Sequence, residues 1–185
     1  MQVKQEKPED EGYQVFEHFS QLTLPKIVFN ALNGSTEVTG IAVVGHAGIG
    51  KSAYVYNSVK VGYMLKLCHN QGIGLDDAAG CWEYITEEYG DVCFGKQCEE
   101  LDELDKKLRE YVFVGNEDIE RLVGVLRNVY AGKRRPLPVL FLDDLALKGL
   151  YQMGGRYKEL HIALKRLYQF RRVAARLTLV TSPSR

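Results

Sequence analysis

Apolar residues along this chain follow two rhythms. Short runs with little polar interruption, Ile41-Ala42-Val43-Val44, Tyr111-Val112-Phe113-Val114, Val139-Leu140-Phe141-Leu142 and Leu177-Thr178-Leu179-Val180, predict strands. A strand that is apolar on both faces suits a covered parallel sheet. Between these runs the spacing lengthens to three and four, which predicts helices. Residues 51–69 form one, with Val55, Val59, Met64 and Leu67 available to face the sheet, and Gly72 and Gly74 ending it. Residues 75–90, around Trp82, form a second, and Gln97 to Arg109 a third, with Leu101, Leu104 and Leu108 on a narrow stripe. Asn116 caps a fourth, with Glu117 and Asp118 in its first turn, Ile119, Leu122, Val123, Leu126 and Tyr130 on its buried side, and Gly132 at its end. Gly149 to Gly155 reads as a loop before a long basic helix over 156–173, with Leu160, Leu164, Leu167 and Tyr168 inward. Near the start, Lys26-Ile27-Val28-Phe29 reads as a short strand set off by Pro25, and Asn33-Gly34-Ser35 as a turn. Alternating strands and helices make the class α/β with a central, mainly parallel sheet.

The predicted strand over 40–44 runs directly into Gly45-His46-Ala47-Gly48-Ile49-Gly50-Lys51-Ser52, which spells G-x-x-x-x-G-K-[ST]. This is the pattern of a phosphate-binding loop. A strand, a glycine-rich turn and a helix start point successive backbone N–H groups and the positive end of a helix dipole at one small volume, which suits a triphosphate. The expected binding stretch is Gly45 through Ala53, with Lys51 on the β/γ-phosphates and Ser52 on Mg2+. The second half of such a site is also present: the apolar run 139–142 ends in Asp143-Asp144. A carboxylate at such a strand end holds the metal, and the next one polarises the attacking water, so Asp143 is assigned to Mg2+ and Asp144 to the base.

With 185 residues the chain holds one domain of ordinary size, and no apolar run approaches the ~18 residues that cross a bilayer, so a soluble, cytoplasmic protein is expected. Residues 1–15 read as a polar, disordered lead-in without the apolar core of a signal peptide, and residues 16–185 as the domain, with a helical insertion at about 72–110. That insertion is expected to pack on the domain edge rather than serve as a partner-binding arm. The formal net charge of zero hides an asymmetry: residues 1–120 carry 10 Lys/Arg against 21 Asp/Glu, and residues 121–185 carry 14 against 3. The basic third is able to contact DNA phosphates, or to pair with the acidic part inside one fold or between subunits of a homo-oligomer; the linear count leaves these open. Cys68, Cys81, Cys93 and Cys98, with gaps of 13, 12 and 5, lack C-x-x-C pairs. They argue against zinc and read as buried thiols, with a disulfide as the lesser alternative in a hyperthermophile.

A loop strand, an intervening strand, an acidic strand and a strand ending in Thr181-Ser182-Pro183 together resemble the additional-strand P-loop ATPases, and within them the AAA+ group. Asp143-Asp144 followed by Val180-Thr181-Ser182 is similar to the DnaA initiators and helicase loaders. Phe113, Asn116-Glu117-Asp118, Arg171-Arg172 and Thr181-Ser182-Pro183 resemble the DnaA-like ATPases of archaeal viruses and plasmids, over about 38–70 and 111–184. The resemblance implies a three-layer P-loop NTPase fold, ATP and Mg2+ as cofactors, and Thr181 or Ser182 as the γ-phosphate sensor. It also implies action on DNA or a DNA-bound partner. The chain stops where such proteins continue with an arginine finger and a lid, so a fragment with slow turnover is expected. A small-molecule kinase is the alternative; the absence of an arginine-rich lid after the acidic pair, which lies 92 residues beyond Lys51, stands against it.

Overall fold

The computed structural model describes residues 10–35, 37, 39–95, 98, 100–114, 118–144 and 175–181. Four strands, β1 (Thr39–Val43), β2 (Val112–Phe113), β3 (Leu137–Leu142) and β4 (Ala175–Thr181), form one fully parallel sheet in the order β1-β4-β3-β2. The last strand thus enters between the first and the third. Alternation along β3 explains why its sequence is apolar throughout. Val139 and Phe141 pack on one face against α2 (Thr23–Leu32) and the start of α3 (Lys51–Asn70), through Leu24, Val28, Val55 and Val59. Leu140 and Leu142 pack on the other against Ile119, Leu122, Val123 and Leu126 of α6 (Ile119–Tyr130). The chain is therefore an α/β fold with helices on both faces of a small parallel sheet.

A separate helical core sits along the far half of α3. It joins Tyr13 and Phe16 of α1 (Glu11–Ser20) and Met64, Leu65 and Cys68 of α3 with Cys81, Trp82 and Ile85 of α4 (Ala78–Tyr89) and with Leu104 of α5 (Glu103–Leu108). Met64 and Leu67 therefore face this helical core and not the sheet; only Val55 and Val59 of the expected set reach the sheet. Of the leucine stripe expected within 72–110, Leu104 and Leu108 are buried and Leu101 is exposed. The third helix is shorter than Gln97 to Arg109 because Asp102 starts it: Asp102 and Asp105 cap each other's backbone N–H in a reciprocal box.

Three further expectations are corrected. Lys26–Phe29 is not a strand but the middle of α2, whose buried Leu24, Val28, Ala31 and Leu32 repeat at helical spacing. Pro25 stands in the first turn, where the missing N–H costs nothing. The helix α1 begins at Glu11, capped by Asp10, within the segment expected to be disordered, and Tyr13 is 3% exposed. The four cysteines are paired, Cys68 to Cys81 and Cys93 to Cys98, and are not thiols. The cap at Asn116, the loop 149–155, the basic helix 156–173 and Arg171-Arg172 lie outside the described residues. Among those described, Asp118 is the N-cap position of α6.

The two helices beneath the sheet approach closely at Gly62. A Cβ there would lie 2.6 Å from Val28 Cγ1 and 2.8 Å from the Pro25 carbonyl oxygen. Gly62→Ala gains helix propensity of about 1 kcal/mol, but overpacking against a backbone oxygen costs about 1–3 kcal/mol. Chemical denaturation of G62A should therefore show a net loss of stability.

Candidate functional site

Gly45 to Ala53, Asp143, Asp144 and Thr181 gather at the C-terminal ends of three adjacent strands. Val44 to Gly50 turn the chain from β1 into α3, with Gly48 and Gly50 at φ +78° and +88°. Nothing lies within 4 Å of a Cβ built at either position, so the left-handed backbone and not lack of room selects glycine here. Gly50 is the N-cap position of α3 and supplies no side-chain cap, so the first-turn amides of Lys51, Ser52 and Ala53 have no intrahelical acceptor. His46, Ala47, Gly48, Ile49 and Gly50 are exposed, and Lys51 and Ser52 are half-buried at the helix start. Lys51 Nζ donates to the carbonyl oxygens of Gly45, at 2.9 Å, and His46, at 2.7 Å, so the ammonium lies back across the loop.

The sheet register brings the acidic strand end to the same edge. Val43 of β1 is level with Thr181 of β4, and Val180 of β4 is level with Leu142 of β3, so Asp143 follows directly beside Thr181. Adjacent strands lie roughly 4.8 Å apart, which sets the β1 and β3 ends roughly 10 Å from one another with Thr181 between them. Asp143 is buried and its N–H donates to the Phe113 carbonyl oxygen at 3.2 Å. The Asp144 N–H donates to Thr181 Oγ1 at 3.0 Å. That hydroxyl acts as an acceptor here and keeps its own hydrogen for donation. Ser182, the alternative sensor, lies outside the described residues.

Two features of the region were not read from the sequence. Tyr54, exposed on the first turn of α3, has its ring 6.0 Å from that of Phe19 on α1, so an aromatic pair stands one helical turn beyond Lys51. The signal was a tyrosine three residues after the loop lysine, on the turn that carries the amides.

The second is a buried ionic cluster further along α3. Lys60 is 1% exposed, and its Nζ donates to Asp102 Oδ2 at 2.6 Å, Asp105 Oδ1 at 2.9 Å and the Cys93 carbonyl oxygen at 2.9 Å. The Phe94 ring lies 5.4 Å away, and the Tyr56 hydroxyl donates to Asp105 Oδ1. Burial, followed by the hydrogen bond to Asp105 and the two nearby negative charges, pushes the Tyr56 phenol far above its ordinary range. Burial alone would push the Asp102 carboxyl up, but hydrogen bonds from Lys60 and from the Asp105 and Cys93 amides, with the charge of Lys60, hold it low. Nine residues of α3, roughly 13 Å of rise, separate Lys60 from Lys51, so the cluster stands apart from the loop. Its signal was a lysine inside the apolar run Val59–Val61, with the D-x-x-D spacing of Asp102 and Asp105 downstream.

Comparison with protein-family models, curated proteins and solved structures finds no match to this chain.

Proposed function

We propose that this chain is a Mg-ATP-binding P-loop ATPase of the AAA+ initiator or loader type, acting on DNA or a DNA-bound partner. One observation carries the reading: the sequence G-x-x-x-x-G-K-S stands between a parallel strand and a helix N-terminus, at the sheet edge that also bears Asp143, Asp144 and Thr181. The donor set fits the ligand. Two left-handed glycines and the first-turn amides of α3 present N–H groups to anionic oxygens. Ser52 and Asp143 offer hard oxygens, and Mg2+ is commonly held by one or two such groups together with substrate phosphates.

Within this reading, Lys51 swings from the Gly45 and His46 carbonyls onto the β/γ-phosphates, where its charge offsets theirs. Asp143, with Ser52, would hold the Mg2+, and Asp144 would accept a proton from the attacking water. Thr181, positioned by the Asp144 amide, donates its hydroxyl hydrogen toward the γ-phosphate. Bound metal supplies charge neutralisation at the transferred phosphoryl group. Tyr54 and Phe19 offer a ring face for the base. Two disulfides in an ATP-binding protein fit the intracellular proteins of hyperthermophiles.

The test measures hydrolysis and DNA retention together. Phosphate release should depend on Mg2+ and be lost in Asp144→Asn while ATP binding persists. Filter binding of duplex or single-stranded DNA should differ between ATP and ADP and weaken steeply with salt. No DNA retention in any nucleotide state would remove the DNA half of the proposal, and hydrolysis unchanged in D144N would remove the assignment of the base.

A further inference from the structure

The two disulfides occupy different environments. Cys68 and Cys81 are each 1% exposed; Cys68 belongs to α3, Cys81 to α4, and both sit within the core that includes Met64, Trp82 and Ile85. Cys93 and Cys98 are only half-buried, stand five positions apart, and neither lies in a helix or strand. Among the described residues, the bonds that tie this bridge to the ionic cluster fall at Cys93. The Cys93 carbonyl oxygen accepts from Lys60 Nζ and the Cys93 N–H donates to Asp102 Oδ2 at 3.2 Å, so Cys93 is held on both sides by groups anchored on α3 and α5.

We propose that Cys93–Cys98 is a reversible thiol–disulfide exchange site for dithiol reductants, and that Cys68–Cys81 is a permanent cross-link of the helical core. Exchange requires a thiolate to approach a sulfur in line with the bond it breaks, so access separates the two bridges. One thiolate of the dithiol attacks a sulfur of the 93–98 bridge, forming a mixed disulfide and releasing the other cysteine as thiolate, which takes up a proton. The second thiol of the reductant then attacks the mixed bond and leaves as a cyclic disulfide, releasing the remaining cysteine, which is protonated in turn. Two electrons and two protons pass from the dithiol to the protein. Once the bridge is open, Cys93 keeps its two backbone hydrogen bonds to Lys60 and Asp102, whereas Cys98 loses its covalent tie to Cys93. The expected result is a looser segment from 93 to 102 over an intact helical core. This inference does not depend on nucleotide binding.

The experiment treats the folded full chain with dithiothreitol, quenches with iodoacetamide at intervals and locates alkylated cysteines by peptide mass spectrometry. Carbamidomethyl groups should appear on Cys93 and Cys98 at least about ten-fold faster than on Cys68 and Cys81, which should react only after denaturant is added. Amide hydrogen exchange on the partly reduced protein should rise at Cys93 and in the first turn of α5 but not in α3 or α4. The variant Cys93→Ser/Cys98→Ser should reproduce that exchange pattern without reductant. Equal reduction of both bridges, faster reduction of Cys68–Cys81, or an exchange pattern unchanged by opening the 93–98 bridge would each overturn the proposal.

Discussion

Replacing Lys60 by methionine is expected to lower the free energy of unfolding by about 3–5 kcal/mol at neutral pH, because removing one partner of a buried ion pair strands the opposite charge. Here the stranded charges are two, since Asp102 and Asp105 both contact the ammonium. Against a total stability of about 5–15 kcal/mol for a typical domain, this is a large fraction. Urea unfolding followed through Trp82, the only tryptophan and one buried in the adjoining core, reads the loss directly. The deficit should shrink in acid, where the Asp102 carboxylate takes up a proton and no longer needs the cation. Adding Asp102→Asn and Asp105→Asn to Lys60→Met should recover much of the stability at neutral pH. A deficit that stayed constant with pH would show that Lys60 acts through packing alone.

The same cluster sets opposite signs at the two ends of the pH scale for the unmodified chain. The Asp102 carboxyl is held below its ordinary value in the folded state. Its contribution is therefore complete above the unfolded value, about 3.9, and is lost as pH falls through the lower folded value. The Tyr56 phenol is raised, so its contribution is complete below about 10 and is lost as pH rises toward the folded value.

The other large effect concerns the loop. Lys51→Ala removes the only side-chain cation in the stretch from Gly45 to Ala53, and also the bonds to the Gly45 and His46 carbonyls that cross the loop. A hydrogen bond to a charged group contributes about 1.5–3 kcal/mol, so Mg-ATP affinity should fall by about ten- to hundred-fold. Trp82 sits in the separate helical core, and its fluorescence should be unchanged, which distinguishes a lost phosphate contact from a lost fold. A smaller loss is expected for AMP, which lacks the phosphates that Lys51 is assigned to reach.

The elements that read clearly in the sequence are those whose residues answer to one neighbour. The run 139–142 is apolar at every position because β3 is covered on both faces, and the leucine and valine spacing of α6 matches its single buried side. The turn from β1 into α3 was legible because Gly48 and Gly50 stand where the backbone is left-handed. The segment 26–29 was not, since a short apolar run fits a buried strand or a buried helix, and only its continuation from Leu24 to Leu32 reveals the helical period. Cysteine pairing was not legible either: no local spacing tells Cys68 that Cys81 is its neighbour, and the packing of α4 on α3 decides it. The role of Lys60 was not legible because its two carboxylate partners lie more than forty residues away in sequence, at an element whose start is fixed by the same two carboxylates.

Isothermal titration calorimetry of the full chain with ATP, in the presence and absence of Mg2+, tests the central claim most directly. Saturable one-to-one binding that strengthens with Mg2+, and that weakens in Lys51→Ala and loses its Mg2+ dependence in Asp143→Asn, is the predicted result. A flat titration of the folded wild-type chain, or binding that both substitutions leave untouched, would contradict it.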